Sequence, residues 1–499
     1  MSGALSGIKE WLRSEIFIRR LQSPVGLTLL ALLAIGAGYL AANDLSILVF
    51  VLSGALAGGV IVYMCMFRPL QGYYIVTLVA YFAFYPTHIL NKEIPLSTLT
   101  EVLILFLFMG GMWSTRGDAN AKGNLFRTGI SILLLINVAY FIMELFNPNM
   151  SVQAGWFFSS KRYLVYILFF IISYRLINTP AKFRFFFRFW VFMAVLGGAY
   201  ACYQQWFGYL PMELAYIKSD PHEYGLLFQG GQLRKYSFFD GVVTSGILCG
   251  SFAVITLILA VEERTKRKRV LLIFSTIFLF LGMLYSGTRT TTIMLPTGIA
   301  LYSLMTIRNR KTLVTVFVFF VFAAFLMIAP INSPTLNRMR STFNKQDASL
   351  NVRDMNRKMI QPYIYQNPLG GGVAASGVEG MRFNPSHPLA GFPPDSGFLK
   401  IALDMGYVGL FLTVLMYLAI LYTGIQNYHI MRNERYKKYT ICITAALFSI
   451  MVTQYSQVSI GQIPNALFFY AAIALFQRML EFDRKERLSF RNSPVDPEN

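Results

Sequence analysis

Apolar runs of about 18 to 22 residues recur along nearly the whole chain, each long enough to cross the hydrocarbon core of a bilayer as a helix. They fall near 25–42, 46–66, 72–90, 98–114, 128–146, 162–178, 187–207, 241–261, 268–286, 290–307, 312–330, 404–424, 439–457 and 462–478, about fourteen in all. With 55% hydrophobic and only 14% charged residues, the chain can build little else. The expected fold is all-α: a polytopic helical membrane protein interrupted by one large hydrophilic loop. The expected divisions are an interfacial segment (1–22), an N-terminal transmembrane region (23–330), the loop (331–400), C-terminal transmembrane helices (401–478) and a tail (479–499).

The formal net charge of +20 does not indicate a nucleic-acid partner. The basic residues sit mostly in short connections, and every second connection is basic, as the positive-inside rule requires. Arg264, Lys266, Arg267, Lys268 and Arg269 mark one inner connection, and Arg308, Arg310 and Lys311 another. Both termini are therefore expected on the inner side and the large loop on the outer side. Before Gln22, Ile8, Trp11, Leu12, Ile16 and Phe17 alternate with basic residues at helical spacing, as an interfacial helix would. Cys65, Cys202, Cys249 and Cys442 all lie in apolar runs without metal spacing and read as small hydrophobes.

Some cations break the inside rule. Lys161 and Arg162 stand at the outer mouth of one span, Arg234 and Lys235 precede another, and Arg289 occupies the tight outer hairpin Ser286 to Thr290. The loop adds Arg338, Arg353, Arg357 and Lys400 among others. Guanidinium groups gathered at a membrane surface suit phosphate or diphosphate, though headgroup anchoring would also use them. Glu101, Glu144, Asp240, Asp395 and Asp404 also fall near outer span ends. With no ionisable residue near the centre of a span, an ion-coupled transporter is disfavoured.

Within the loop, Asn351 is placed to cap an amphipathic helix through Ile364 that carries Arg353 and Arg357 one turn apart. Pro362 should kink or shorten its last turn. Asn367-Pro368 ends it, and Gly370, Gly371 and Gly372 follow as a turn. Then come a polar segment with His387, and Asp395-Ser396-Gly397 ahead of a short apolar helix. Asp395 is either a base or that helix's cap, and His387 either a base or an ordinary loop residue.

This order resembles the bacterial O-antigen ligase and polymerase superfamily over about Arg234 to Gly424. Pro368 to Val373 is similar to the family's Pro-Leu-x-Gly-x-Gly, and Asp404-Met405-Gly406-Tyr407-Val408-Gly409 to its Glu-x-Gly-x-x-Gly, with Asp for Glu. Ser286-Gly287-Thr288-Arg289 resembles its Ser-x-Ser-Arg hairpin, and Arg234 through Asp240 its basic segment before another span. Counted back from Gly406, the family's histidine falls on Asp395 and its asparagine on Ser396; His387 lies eight residues earlier.

The resemblance implies a GT-C-like, metal-independent glycosyltransferase of the bacterial inner membrane with a periplasmic loop and cytoplasmic termini. No cofactor is expected. The donor would be an undecaprenyl-diphosphate-linked oligosaccharide, with membrane lipids around it and a chain-length regulator as a candidate partner. Arg289 and Arg353 would stabilise the leaving diphosphate, supported by Arg234, Lys235, Lys161, Arg162 and Arg357, and Asp395 or His387 would be the base. The leading expectation is a polysaccharide polymerase, ahead of a ligase acting on lipid A–core or protein. A lipid-linked oligosaccharide flippase, which needs a polar inner cavity and pseudo-symmetric halves, is the alternative of another class. A non-catalytic membrane scaffold would account for the spans but leave the outer arginines without a role.

Overall fold

The computed structural model describes residues 46–492 apart from 93–94, 119–120, 122, 124, 151, 230, 331–332 and 342–347. The expected interfacial segment and first span lie outside the described residues. The chain forms two compact units, Met1–Val76 with Val102–Ser114, and Thr77–Glu101 with Thr115–Asn499.

In the first unit, helix α1 (Ser46–Phe67) meets its neighbours through bare backbone. A Cβ on Gly72 would come 2.7 Å from the Cys65 Cα, and one on Gly110 2.2 Å from the Cys65 carbonyl oxygen. Only glycine permits that approach, the usual device where lipid supplies no hydrophobic drive. Gly72 lies in the first turn of α2 (Pro69–Tyr81), and Gly110 in the second half of α4 (Leu96–Ser114).

The expected span at 72–90 is instead two helices, α2 and α3 (Tyr85–Leu90). Pro86, in the first turn of α3, can open a helix but not continue one. Next come α5 (Gly129–Met143), capped by Thr128, and α6 (Ala154–Leu176). Helix α7 (Pro180–Trp206) starts earlier than the expected 187, because Thr179 accepts from the Lys182 amide and Pro180 presets the first turn. Two short helices, α8 (Pro211–Ser219) and α9 (Pro221–Leu227), lead to a two-residue hairpin, β1 (Phe228–Gln229) against β2 (Gln232–Leu233).

Helix α10 (Val242–Glu262) is central to the second unit, 83% of its apolar stretch being buried. Around it stand α11 (Lys266–Tyr285), α12 (Met294–Thr306) and α13 (Arg310–Ile328). Phe252 of α10 packs with Trp190 of α7 and with Phe468 of the last helix at 6.3 and 4.6 Å between ring centroids.

The loop folds into α14 (Pro334–Ser341), α15 (Ala348–Gln366) and α16 (Gly377–Phe383). Helix α15 is the expected amphipathic one, but it starts before Asn351, which lies inside it, and runs on past Pro362. Helix α17 (Gly397–Ile430) bends at Gly406, whose φ of 65° lies outside the helical region. After α18 (Glu434–Thr453), α19 (Asn465–Asn492) carries the expected last span on into the tail. Arg478 holds that continuation: buried, it donates to the Tyr174 carbonyl (2.8 Å), the Ala121 carbonyl (3.0 Å) and Glu481 (2.6 Å). Seven helices among the described residues are long and apolar enough to cross a membrane, and the chain is an all-α polytopic membrane protein.

Candidate functional site

Two polar groupings dominate the second unit. The first surrounds the hairpin after α11. Gly287 takes φ 59°, and a Cβ there would come 3.2 Å from the Arg234 side chain and 3.3 Å from Arg338 Nε. Two guanidiniums thus lie against a residue that must be glycine. Arg234 donates to the Ser286 carbonyl and to Thr288 Oγ1, both at 3.0 Å. Arg338, from α14, donates to the Gly287 carbonyl and to Gln229 Oε1. Arg289 opens a 3-10 turn (Arg289–Ile293) and lines the same small cleft as Arg338. Burial, then the charges of Arg338 and Arg289, push the Arg234 guanidinium down to about 9. Like charges drawn together are costly, and an anion between them would relieve that cost.

Sequence reasoning did not choose Arg338 for this site. Its signal was only a place among the loop cations, since α14 lies roughly a hundred residues from Arg234 in the chain. Lys235, by contrast, does not line this cleft. It is buried with its ammonium 4.6 Å from the Tyr209 ring centroid. Burial pushes it down to about 8, opposed by Glu213. It serves as a packing residue.

The second grouping walls a cavity of about 600 Å³ reached from α5, α6, the loop, α17 and the segment after α18. Its charges form one chain: Arg162 lies 3.8 Å from Glu379, Glu379 3.1 Å from Lys400, and Lys400 3.0 Å from Asp404. Asp404 also accepts from the Ser376 hydroxyl (2.6 Å) and amide (3.2 Å). Two cations and two anions cancel, so this wall is polar but nearly neutral. Tyr163, Tyr166, Tyr417 and Gln454 supply aromatic and amide surface beside it, a lining suited to uncharged hydroxylated ligands.

Main-chain contacts fix the loop against α17. Gly371 donates to the Leu403 carbonyl (2.8 Å), Gly372 to that of Asp404 (3.0 Å) and Tyr407 to that of Pro368 (2.9 Å). A Cβ on Gly406 would fall 2.0 Å from the Pro368 oxygen, and one on Gly370 2.5 Å from the Gly406 nitrogen. The glycine turn and the Asp404–Gly409 segment, two motifs far apart in sequence, are thus one joint. Asn147 and Asn149 tie it to the end of α5, each donating at 2.8 Å, to the Leu369 and Gly370 carbonyls respectively.

Asp240 adjoins the second grouping, with Thr244 and Arg162 near it. It is six residues from Arg234, a span of at most ~21 Å of chain. It adjoins Thr244, which donates to cavity-lining Gln462 at 2.7 Å. Asp240 is open to water, yet protein walls it closely. That desolvation pushes its carboxyl up to about 6, against nearby backbone amides and Arg162.

The other expected residues are scattered. His387 is buried with both ring nitrogens engaged: Nδ1 accepts from the Leu389 amide at 3.1 Å, and the Asn149 backbone takes the other hydrogen bond. Burial holds its pKa below the usual imidazole range. The ring is thereby turned into the protein and not toward the cavity. Asp395 is half-buried beside the cavity-lining Pro394, while the cap of α17 is Ser396, which accepts from the Leu399 amide. Arg357 donates to the hydroxyl and carbonyl of Tyr455 (3.1 and 2.9 Å) and docks α15; Arg353 lines neither grouping.

Helix α6 begins at Ala154, so Arg162 and Lys161 lie about two turns inside it and not at its mouth. The preceding apolar residues explain this, since Trp156 packs against Phe141 and binds its carbonyl at 2.8 Å. Lys161 lies 5.0 Å from the Phe158 ring centroid, which Arg162 and Arg382 also approach. Among the described residues no three His, Cys, Asp or Glu side chains gather as a metal would need.

The hairpin with Arg289, the loop, and the joint at Gly406 lie within one stretch of sequence. Residues 274–414 match the family model for O-antigen ligase. The O-antigen ligase match supports the superfamily that the motifs resemble, and it covers every residue of the main-chain joint. Arg162, Arg234 and Asp240 precede it. No curated protein matches the chain.

Proposed function

We propose that this protein is a glycosyltransferase of the bacterial inner membrane that elongates a polysaccharide on its lipid carrier. The donor would be an undecaprenyl-diphosphate-linked glycan held at the periplasmic face, with both termini cytoplasmic and a GT-C-like arrangement of about fourteen spans. The observation that carries the reading is the convergence of Arg234, Arg289 and Arg338 on one hairpin, with a nearly neutral cavity of about 600 Å³ in the same unit.

The chemistry follows from charge. The arginines hold the diphosphate, while sugar rings occupy the cavity against its tyrosines. An acceptor hydroxyl loses its proton to Asp240 as its oxygen bonds to the anomeric carbon. The bond from that carbon to the diphosphate oxygen breaks, and the electron pair leaves on the diphosphate. Three guanidiniums meet the charge that develops there, each worth roughly a few kcal/mol in the transition state. Asp240 is favoured over Asp395 and His387 because it is open to water and has a pKa near the working range.

The O-antigen ligase description favours a second reading, transfer of finished glycan to lipid A–core or protein. Purified protein in nanodiscs, given an undecaprenyl-diphosphate oligosaccharide without added metal, distinguishes the two. A ladder of longer lipid-linked products, lost in Arg289→Ala, supports the polymerase. Donor consumption only when lipid A–core is supplied supports the ligase. No turnover with any acceptor overturns both and revives the flippase.

A further inference from the structure

An apolar hollow opens along α11, with its basic end at the N-terminus of that helix, away from the arginine hairpin. It is a groove of about 710 Å³ between α10 and α11 on one side and α12 and α13 on the other. Its walls are mostly aliphatic and aromatic, Ile273 of α11 and Val314 of α13 among them. Thr276 adds no unmet polar demand, since its hydroxyl is hydrogen-bonded to Thr256 (2.9 Å) and the Leu272 carbonyl (2.8 Å). Arg269, in the first turn of α11, and Arg310, at the start of α13, line one end. At the other end Phe280 and Phe322 meet with ring centroids 6.0 Å apart.

The dimensions identify what fits. From Arg269 to Phe280 is eleven residues of helix, or ~16 Å. From Arg310 to Phe322 is twelve, or ~18 Å. Half of a bilayer's hydrocarbon thickness is ~15 Å. The groove therefore runs from a cationic rim to an aromatic stop across one leaflet. A transmembrane helix of a partner would need about twice that length. A diphosphate at the hairpin would sit at the opposite end of α11 from the basic rim, so the charge of Arg269 and Arg310 calls for an anionic headgroup of its own. Lys266, Arg267, Lys268 and Arg308 extend the positive rim.

The geometry points to a bound anionic phospholipid in the leaflet opposite the arginine hairpin, one acyl chain in the groove and its phosphate between Arg269 and Arg310. Basic recesses between transmembrane helices select anionic headgroups in this way. Arg310 is exposed at its helix end, whereas Arg269 also donates to the Glu263 carbonyl at 3.1 and 2.7 Å. Arg310→Gln is therefore the cleaner charge variant.

The test is native mass spectrometry of the full-length protein titrated with phosphatidylglycerol or phosphatidylcholine of identical acyl chains. The wild type should retain phosphatidylglycerol at least tenfold more tightly. Arg310→Gln should lower that preference about fivefold, the worth of one interfacial charge. Val318→Trp, which fills the groove, should abolish tight retention of either lipid. Thermal midpoints confirm that both variants are folded. Equal retention of the two lipids by wild type overturns the inference. So does a preference that survives in Arg310→Gln combined with Arg269→Gln, or in Val318→Trp.

Discussion

Replacing Asp240 by Asn removes the only ionisation that the proposed base can offer while leaving its size unchanged. With a pKa of about 6, roughly nine-tenths of the carboxyl is ionised at pH 7 and about one-tenth at pH 5. For the wild type, kcat/KM for elongation should therefore fall about tenfold between those values. Asp240→Asn should lose that limb and run on the order of 10²–10⁴ slower at pH 7. The sign of the stability effect separates chemistry from unfolding. A carboxyl whose folded pKa is raised binds its proton more tightly when folded, so this group favours the fold increasingly as pH falls from about 6 toward about 4. The acid loss should thus occur without a fall in melting temperature from this residue, and Asp240→Asn should melt no lower than wild type at pH 7. Rates from gel-resolved lipid-linked products at pH 5, 6 and 7, with matched melting curves, test both statements. An Asp240→Asn enzyme within tenfold of wild type, or one that keeps the acid limb, refutes the assignment.

His387→Ala strips the Leu389 amide of its acceptor, and should cost about 1–3 kcal/mol of stability. It should leave the acid limb in place, read from melting and rate profiles together. Gly406→Ala forces a side chain into the Pro368 carbonyl at φ 65°; backbone strain alone is worth about 1–3 kcal/mol. Limited proteolysis near 367–372 should accelerate and turnover should be lost. Lys400→Met leaves Asp404 and Glu379 short of a partner, costing about 1–3 kcal/mol at this part-exposed site. Adding Asp404→Asn should recover part of that in a double-mutant cycle.

The helices were legible because apolar length and helical period are local properties. Residues 242–262, 266–285 and 310–328 form helices close to where their hydropathy places them. Starts were less legible where caps decide them: Thr179-Pro180 begins a helix seven residues ahead of its apolar run. Likewise Trp156 draws α6 back past Arg162. The site was legible as an inventory of cations and acids on one side, but not as partners. Nothing local in the sequence pairs Arg338 with Gly287, or Glu379 with both Lys400 and Arg162. The surroundings of Asp240 were equally hidden, since desolvation depends on which elements pack near a residue. The glycine run was legible as a turn, but not that Gly370 and Gly406 meet backbone to backbone across it.

That contact has a consequence for how such a protein can change. Peptide groups join the loop to α17, and peptide groups are common to every residue type. The joint therefore constrains the glycines, while the side chains of Ser376 and Lys400 add bonds to Asp404 beside it. Val373 through Pro394 contribute much of the cavity wall, and its exposed positions, such as Val378, can be exchanged without touching the joint. A protein built on this plan can change its cavity wall by ordinary point substitution at such positions, while the register of the loop on α17 stays fixed.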